Sequence, residues 1–295
     1  MAHRARLAGI AVGDGLPVAV IGVLNVSPES FYPGSVRASS EELRRAAAAM
    51  CEEGAALLDV GAMSTAPYLD TRISEAEERD RLAEAVRVLA STVDIALSAD
   101  TSRASVARAA LEAGASVIND VTGLAGDEAL APVVAAAGAG LIAMASERDR
   151  TEAETSPSSS AAAPSPIDVV GARLRESLAI AERAGIPPES IVVDPGIGFF
   201  RQSGRPSHEW DCRVLAELGR LRCLDRPICV GASRKSFIGV LTHEPDPGRR
   251  LAGSVAAATS AVLSGAQVIR AHDVGETVQA VRVAEALRAC GARRD

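Results

Sequence analysis

Residues 18–26 read Val-Ala-Val-Ile-Gly-Val-Leu-Asn-Val, apolar throughout except for one asparagine near the end. A run this apolar and β-branched, too short for a helix, suits a parallel strand covered on both faces. Similar runs recur at Ala56–Val60, Ile95–Ala99, Ser116–Ile118, Gly140–Met144, Ser190–Val193, Pro227–Val230 and Gln267–Arg270. Between them lie Ala-, Glu- and Arg-rich stretches with helical spacing. In Ser40–Glu53, Ser39–Ser40 form a candidate cap and Glu41–Glu42 fall in the expected first turn. Ser74–Ser91 offers Ser74 as cap with Glu77 three residues later, the capping-box spacing. Strand and helix alternating eight times predict an α/β fold, a single (β/α)8 barrel forming one domain over residues 1–295. No dinucleotide fingerprint follows the first strand, which speaks against an open doubly wound sheet.

Such a barrel takes about 250 residues; the chain has 295, of which 47% are hydrophobic and only 2% aromatic. Its core must therefore be built from Ala, Val, Leu and Ile. A net charge of −7 argues against a nucleic-acid-binding surface, so any anionic ligand must be held by a few locally placed basic residues. Cys51, Cys212, Cys223, Cys229 and Cys290 show neither a Cys-x-x-Cys pair nor metal-ligand spacing, and read as reduced structural thiols. Met1–Gly9 has no signal-peptide pattern, and no run approaches the ~20 apolar residues of a membrane span. A cytoplasmic protein without membrane association is expected. Glu147–Pro166 lacks any apolar period and is dominated by Ser, Ala and Pro, so it reads as a low-complexity, mobile loop after the fifth strand.

Catalytic groups in such barrels come from the carboxyl ends of the strands. Those ends carry Asn25; Asp59, followed by Ser64–Thr65; Asp100–Thr101; Asn119–Asp120; Asp194; Ser233, Arg234 and Lys235; and Arg270, His272 and Asp273. The fifth strand, ending at Met144–Ala145, has no such cluster. Asp120 and Asp127 read equally well as caps of the following helices. Asp100, Asn119 and Asp194 suit the floor of a pocket for a planar heterocycle bearing ring N–H and amino groups. Ser233, Arg234, Lys235, Arg270 and His272 form a basic wall suited to an anion such as diphosphate.

Gly-Val-Leu-Asn-Val-Ser-Pro-Glu-Ser-Phe (22–31) resembles the first motif of the dihydropteroate synthase family. Asp-Thr-Ser (100–102), Val-Ile-Asn-Asp-Val-Thr-Gly (117–123), Asp-Pro-Gly-Ile-Gly-Phe (194–199), Ser-Arg-Lys-Ser-Phe-Ile-Gly (233–239) and Arg-Ala-His-Asp-Val (270–274) resemble its later ones, in the family's order. The resemblance implies a transferase joining 6-hydroxymethyl-7,8-dihydropterin diphosphate to p-aminobenzoate in folate biosynthesis, acting as a homodimer with Mg²⁺. It implies that Asp100, Asn119 and Asp194 hold the pterin and that Lys235 lies against its ring. Asn25 would help hold the Mg²⁺, Arg270 and His272 would grip the diphosphate, and Thr65, Ser233 and the Phe31/Phe199 region would complete the substrate site.

Several positions depart from the family pattern. Ser64-Thr65-Ala66-Pro67-Tyr68 stands where Ser-Thr-Arg-Pro-Gly is usual, Glu29 where Asp is usual, and Phe200–Arg201 where Gly-Lys is common. Met144-Ala145-Ser146 lacks a histidine common after the fifth strand. These loop forms resemble an archaeal branch, which opens a variant reaction with a ribosylated aminobenzene phosphate for methanopterin synthesis. Two further alternatives are a pterin-dependent methyltransferase and a non-catalytic pterin-binding paralogue.

Overall fold

The eight apolar runs form eight parallel strands: β3 (Ala19–Asn25), β4 (Leu57–Gly61), β5 (Ala96–Asp100), β6 (Val117–Asp120), β7 (Gly140–Met144), β8 (Ile191–Asp194), β9 (Cys229–Val230) and β10 (Val268–Ala271). The computed structural model describes residues 3–26, 36–62, 73–147, 164–201 and 204–291. Neighbouring strands run in the order β8-β7-β6-β5-β4-β3-β10-β9, and a parallel bridge from Val193 to Ile228 closes β8 onto the start of β9. The sheet is therefore a barrel, as the alternation predicts.

The helices around it are α1 (Val36–Glu52), α2 (Glu75–Ala90), α3 (Ala104–Ala113), α4 (Leu130–Ala137), α5 (Pro166–Arg183), α6 (Ser207–Ala216), α7 (Ser236–Thr242), α8 (Leu251–Leu263) and α9 (Val274–Gly291). Ser74 caps α2 as expected, its hydroxyl accepting from the Glu77 amide at 3.2 Å, while the Glu77 side chain turns to Arg81 four residues on. The cap expected at Ser39–Ser40 is corrected: α1 starts at Val36, so both serines lie inside it. Asp127 does not cap the following helix, α4, whose start has no side-chain cap bond; it caps α3 instead, taking the Ala104 amide at 2.7 Å, and also accepts from the Ala129 amide at 2.9 Å. Asp120 folds back on the Thr122 and Leu124 amides. Of the segment 147–166, residues 148–163 lie outside the described residues; α5 begins at Pro166. Among the described residues no helix is long and apolar enough to cross a membrane.

Side chains alternate in and out along each strand, and this sorts the barrel interior into layers. Ile21, Leu57, Val117, Ile142, Val192, Cys229 and Val268 form one buried cluster, contributed by seven of the eight strands. Two residues further along their strands come Asp59, Asn119, Asp194 and Arg270. The interior is thus apolar below and polar at the C-terminal end.

A β-hairpin precedes the barrel and was not anticipated: β1 (Arg4–Leu7) pairs antiparallel with β2 (Ile10–Gly13). Ala5, Leu7 and Val12 join the lower apolar cluster and close the base of the barrel. Asp14 ties the hairpin down, accepting from Arg222 at 3.0 and 2.7 Å and from Gln267 at 2.9 Å. These two partners hold its carboxyl well below the usual range, the arginine more strongly than the glutamine, with burial working against them.

Candidate active site

Arg270 rises from β10 and crosses the barrel mouth. Its Nη2 donates to Asp59 on β4 and, at 3.1 Å, to Asp100 at the end of β5. Asp59 is fully buried and also accepts from Asn119 Nδ2 at 3.0 Å. One carboxylate therefore aligns both the amide and the guanidinium of the floor. Asp194, at the end of β8, takes the Gly196 amide at 2.8 Å. Burial, offset in part by that hydrogen bond, pushes the Asp194 carboxyl up. Burial, then repulsion from Asp59, pushes Asp100 up to about 7, against the pull of Arg270 and Lys235. Burial alone would lower the Arg270 guanidinium, but Asp59 and Asp100 outweigh it and hold it above its ordinary value.

Three buried polar atoms of this floor lack a partner: Asp59 Oδ1, Asp100 Oδ1 and Arg270 Nε. Buried polar groups are almost always hydrogen-bonded, so this concentration marks a surface built for a polar ligand. Lys235, at the N-terminus of α7, lies over the Phe199 ring with Nζ 4.3 Å from its centroid. Burial, then the positive charge of Arg270, lowers the ammonium to about 8, with Asp194, Asp100 and Asp211 opposing.

Ser233 and His272 meet: the hydroxyl lies 3.0 Å from His272 Nδ1 and accepts from the His272 amide at 3.3 Å. Burial, then the positive charges of Arg234 and Arg270, lowers the imidazole to about 4. At neutral pH His272 is an uncharged hydrogen-bonding group. Arg234 stands with backbone φ of 58° and turns to Asp273, bonding it at 3.1 and 2.5 Å. The expected basic wall is thus narrower: His272 is neutral and Arg234 is drawn into an ion pair with Asp273, which leaves Lys235 and the unpartnered Nε of Arg270 to face an anion. Asn25 is exposed at the end of β3, opposite Gly61. Thr65 lies outside the described residues, as do Glu29, Phe31 and Ala66.

Sequence reading placed Asp59 at a strand end but left it out of the site residues, although its period-two spacing from Leu57 identifies it as facing inward. A second missed signal is compositional: Lys235 is the only lysine among 31 lysine and arginine residues. Where arginine serves at every other basic position, a lone lysine marks a place needing a compact, titratable ammonium.

Acidic and amide groups under a buried arginine and lysine, at the C-terminal mouth of a (β/α)8 barrel, define an enzyme that binds a polar heterocycle beside an anion. Residues 21–272 match the pterin-binding enzyme family. A dihydropteroate synthase from Synechocystis is 35% identical over 91% of this chain and 89% of its own. A probable bifunctional folylpolyglutamate synthase/dihydropteroate synthase from Halobacterium salinarum is 40% identical over 93% of this chain, which spans 32% of that longer protein. The crystal structure of Xanthomonas albilineans dihydropteroate synthase with 4-aminobenzoic acid superposes with a TM-score of 0.82 at 34% identity, covering 98% of this chain and 99% of that one. The chain belongs to the pterin-binding enzyme family and, within it, to the dihydropteroate synthases.

Proposed function

We propose that this protein condenses 6-hydroxymethyl-7,8-dihydropterin diphosphate with p-aminobenzoate, releasing diphosphate, in the cytoplasmic synthesis of folate. The observation that carries the reading is the floor of Asp59, Asp100, Asn119 and Asp194, with Asp100 Oδ1 and Arg270 Nε unsatisfied beside Lys235. Asp100 and Asp194 accept from the ring N–H and amino groups of the pterin, and Asn119, oriented by Asp59, supplies an amide. In the reaction the C–O bond from the pterin methylene to diphosphate breaks, and the electron pair leaves with the diphosphate. The aryl nitrogen forms the new C–N bond and loses a proton. Lys235 and Arg270 stabilise the departing charge, and holding both substrates in line supplies the remaining rate acceleration. His272 and Ser233, hydrogen-bonded to each other, offer neutral contacts to the same anion.

Asn25 is suited to Mg²⁺, since its exposed side-chain carbonyl is a hard oxygen ligand at the mouth. Among the described residues no group of three or more His, Cys, Asp or Glu could hold a metal. A hydrated ion bound mainly by the diphosphate needs only such a single contact. When bound, it neutralises charge on the leaving group. Thr65, outside the described residues, keeps the substrate-binding role that the family resemblance gives it.

A homodimer through the outer helices is supported by exposed Leu287 on α9 and Leu263 on α8, and by exposed Val283, which lines a groove between these helices with Leu251, Val255 and Ala280. A Val283→Asp chain sedimenting at the same mass as the parent would discard that interface.

The deciding experiment measures diphosphate release from the pterin diphosphate with Mg²⁺ and p-aminobenzoate, and in parallel with its ribosyl phosphate derivative. Release dependent on p-aminobenzoate establishes the proposed reaction. Release only with the ribosylated amine assigns methanopterin synthesis instead. Tight pterin binding without turnover on either amine rejects the transferase.

A further inference from the structure

Outside the barrel, α6 places a carboxylate beneath the loop that follows β8. Asp211 is 1% exposed; its Oδ1 accepts from the Gly198 amide at 2.8 Å, and its Oδ2 is buried without a hydrogen-bond partner. Gly198 has a φ of +85°, and a Cβ there would come 3.2 Å from Lys235 Cδ. The next residue, Phe199, provides the ring under the Lys235 ammonium. The backbone from Gly198 to Phe199 is therefore the surface on which Lys235 rests, and Asp211 fixes its amide. Trp210, adjacent to Asp211, stacks on Phe200 with centroids 4.9 Å apart, so α6 grips this loop at two neighbouring points.

We propose that Asp211 is a positioning residue for Lys235, fixing the Gly198–Phe199 surface and setting a buried negative charge against the ammonium from outside the barrel. The charged groups acting on Lys235 are Arg270 from β10, Asp194 from β8, Asp100 from β5 and Asp211 from α6. Those acting on Asp211 are Lys235, Arg201 and His208, and burial, the largest influence, pushes its carboxyl up to about 6. Above that value the carboxylate is charged, so it favours the protonated lysine across the neutral range.

The consequence for turnover rests on the proposed reaction, whereas the effect on the lysine does not. Because the chain has one lysine, reductive ¹³C-methylation of the full-length protein gives a single side-chain amine signal, distinct from that of the α-amine. Asp211→Asn keeps the shape and the acceptor for Gly198 but removes the charge. Its titration midpoint is expected below that of the parent by roughly 0.5–1 pH unit, and the alkaline limb of kcat should move the same way. Asp211→Glu, which retains the charge, should recover most of the shift. Unchanged Trp210 fluorescence confirms that α6 is packed in each variant. Coincident midpoints for the parent and Asp211→Asn, or for Asp211→Asn and Asp211→Glu, overturn the assignment. A parent that shows no turnover but the expected titration shifts would reject the proposed reaction and leave the role of Asp211 standing.

Discussion

The ammonium of Lys235 lies 4.3 Å from the centroid of the Phe199 ring, joining the start of α7 to the loop after β8. An ammonium on an aromatic face is worth about 0.5–2 kcal/mol, more as water is excluded. A guanidinium is longer, planar and permanently charged. Lys235→Arg should therefore reduce kcat/KM for the pterin diphosphate by at least about tenfold, or ~1.4 kcal/mol, with little change in melting temperature. Unaltered kinetics would show that any cation serves at this position.

Asp59 holds two members of the floor, Asn119 and Arg270, through a single buried oxygen. Removing one partner of a buried charge pair costs about 3–5 kcal/mol. Because Asp100 remains beside Arg270, Asp59→Asn should sit at or below the low end of that range. Urea denaturation would measure the loss, and pterin affinity should fall with it. A variant as stable as the parent would remove Asp59 from its central place.

Arg270 and Asp194 should separate by ligand. Arg270→Ala is expected to weaken the pterin diphosphate far more than the free hydroxymethyl pterin, because the anion is what it contacts. Asp194→Ala should weaken both, by about 1–3 kcal/mol or more, since a buried donor of the ring loses its partner. Calorimetric titration with the two ligands gives the comparison. Equal losses for Arg270→Ala would refute its anion role.

His272 should remain neutral to about pH 4, whereas a free imidazole is half-charged near ~6.5. The folded value is depressed, so its contribution to stability is present above ~6.5 and is lost as pH falls from there through about 4. Asp100 and Asp211, raised to about 7 and about 6, act oppositely, stabilising the fold as pH falls through the same window. Melting curves sum these effects, so the check is the imidazole resonance followed by NMR. A midpoint near 6.5 would place His272 in solvent.

The hairpin predicts a stability effect far from the mouth. Leu7 is buried among Val117, Ile142 and Val192 at the barrel base. Leu7→Ala should cost about 2–5 kcal/mol in denaturant unfolding while leaving KM values near those of the parent. A loss below about 0.5 kcal/mol, within the range of surface substitutions, would mean the base closes without β1.

The barrel was legible because a buried parallel strand leaves a local mark, an apolar run with a polar residue at its end. Asp100, Asn119 and Asp194 could be placed on one face from that mark alone. The hairpin was harder to see. Its Arg-Ala-Arg-Leu alternation is only four residues long, and its turn puts Ala8 at a φ of +47°, a conformation that alanine does not advertise. Arg234 was misjudged for a different reason: within Ser-Arg-Lys it looks equivalent to Lys235, but its left-handed backbone sends it to Asp273.

By itself, the sequence determined the eight strands, their order, and which of them end in polar residues, because a period of two and a short apolar run are properties of neighbouring residues. Only the closed barrel decided which charges meet. Arg270 finds its partners 211 and 170 residues away, at Asp59 and Asp100. Closure also removed water from them, and that desolvation, together with the neighbouring charges, sets Asp100 near 7, Lys235 near 8 and His272 near 4. Spacing along a chain carries no information about burial of this kind, which arises only when distant segments share one low-dielectric space.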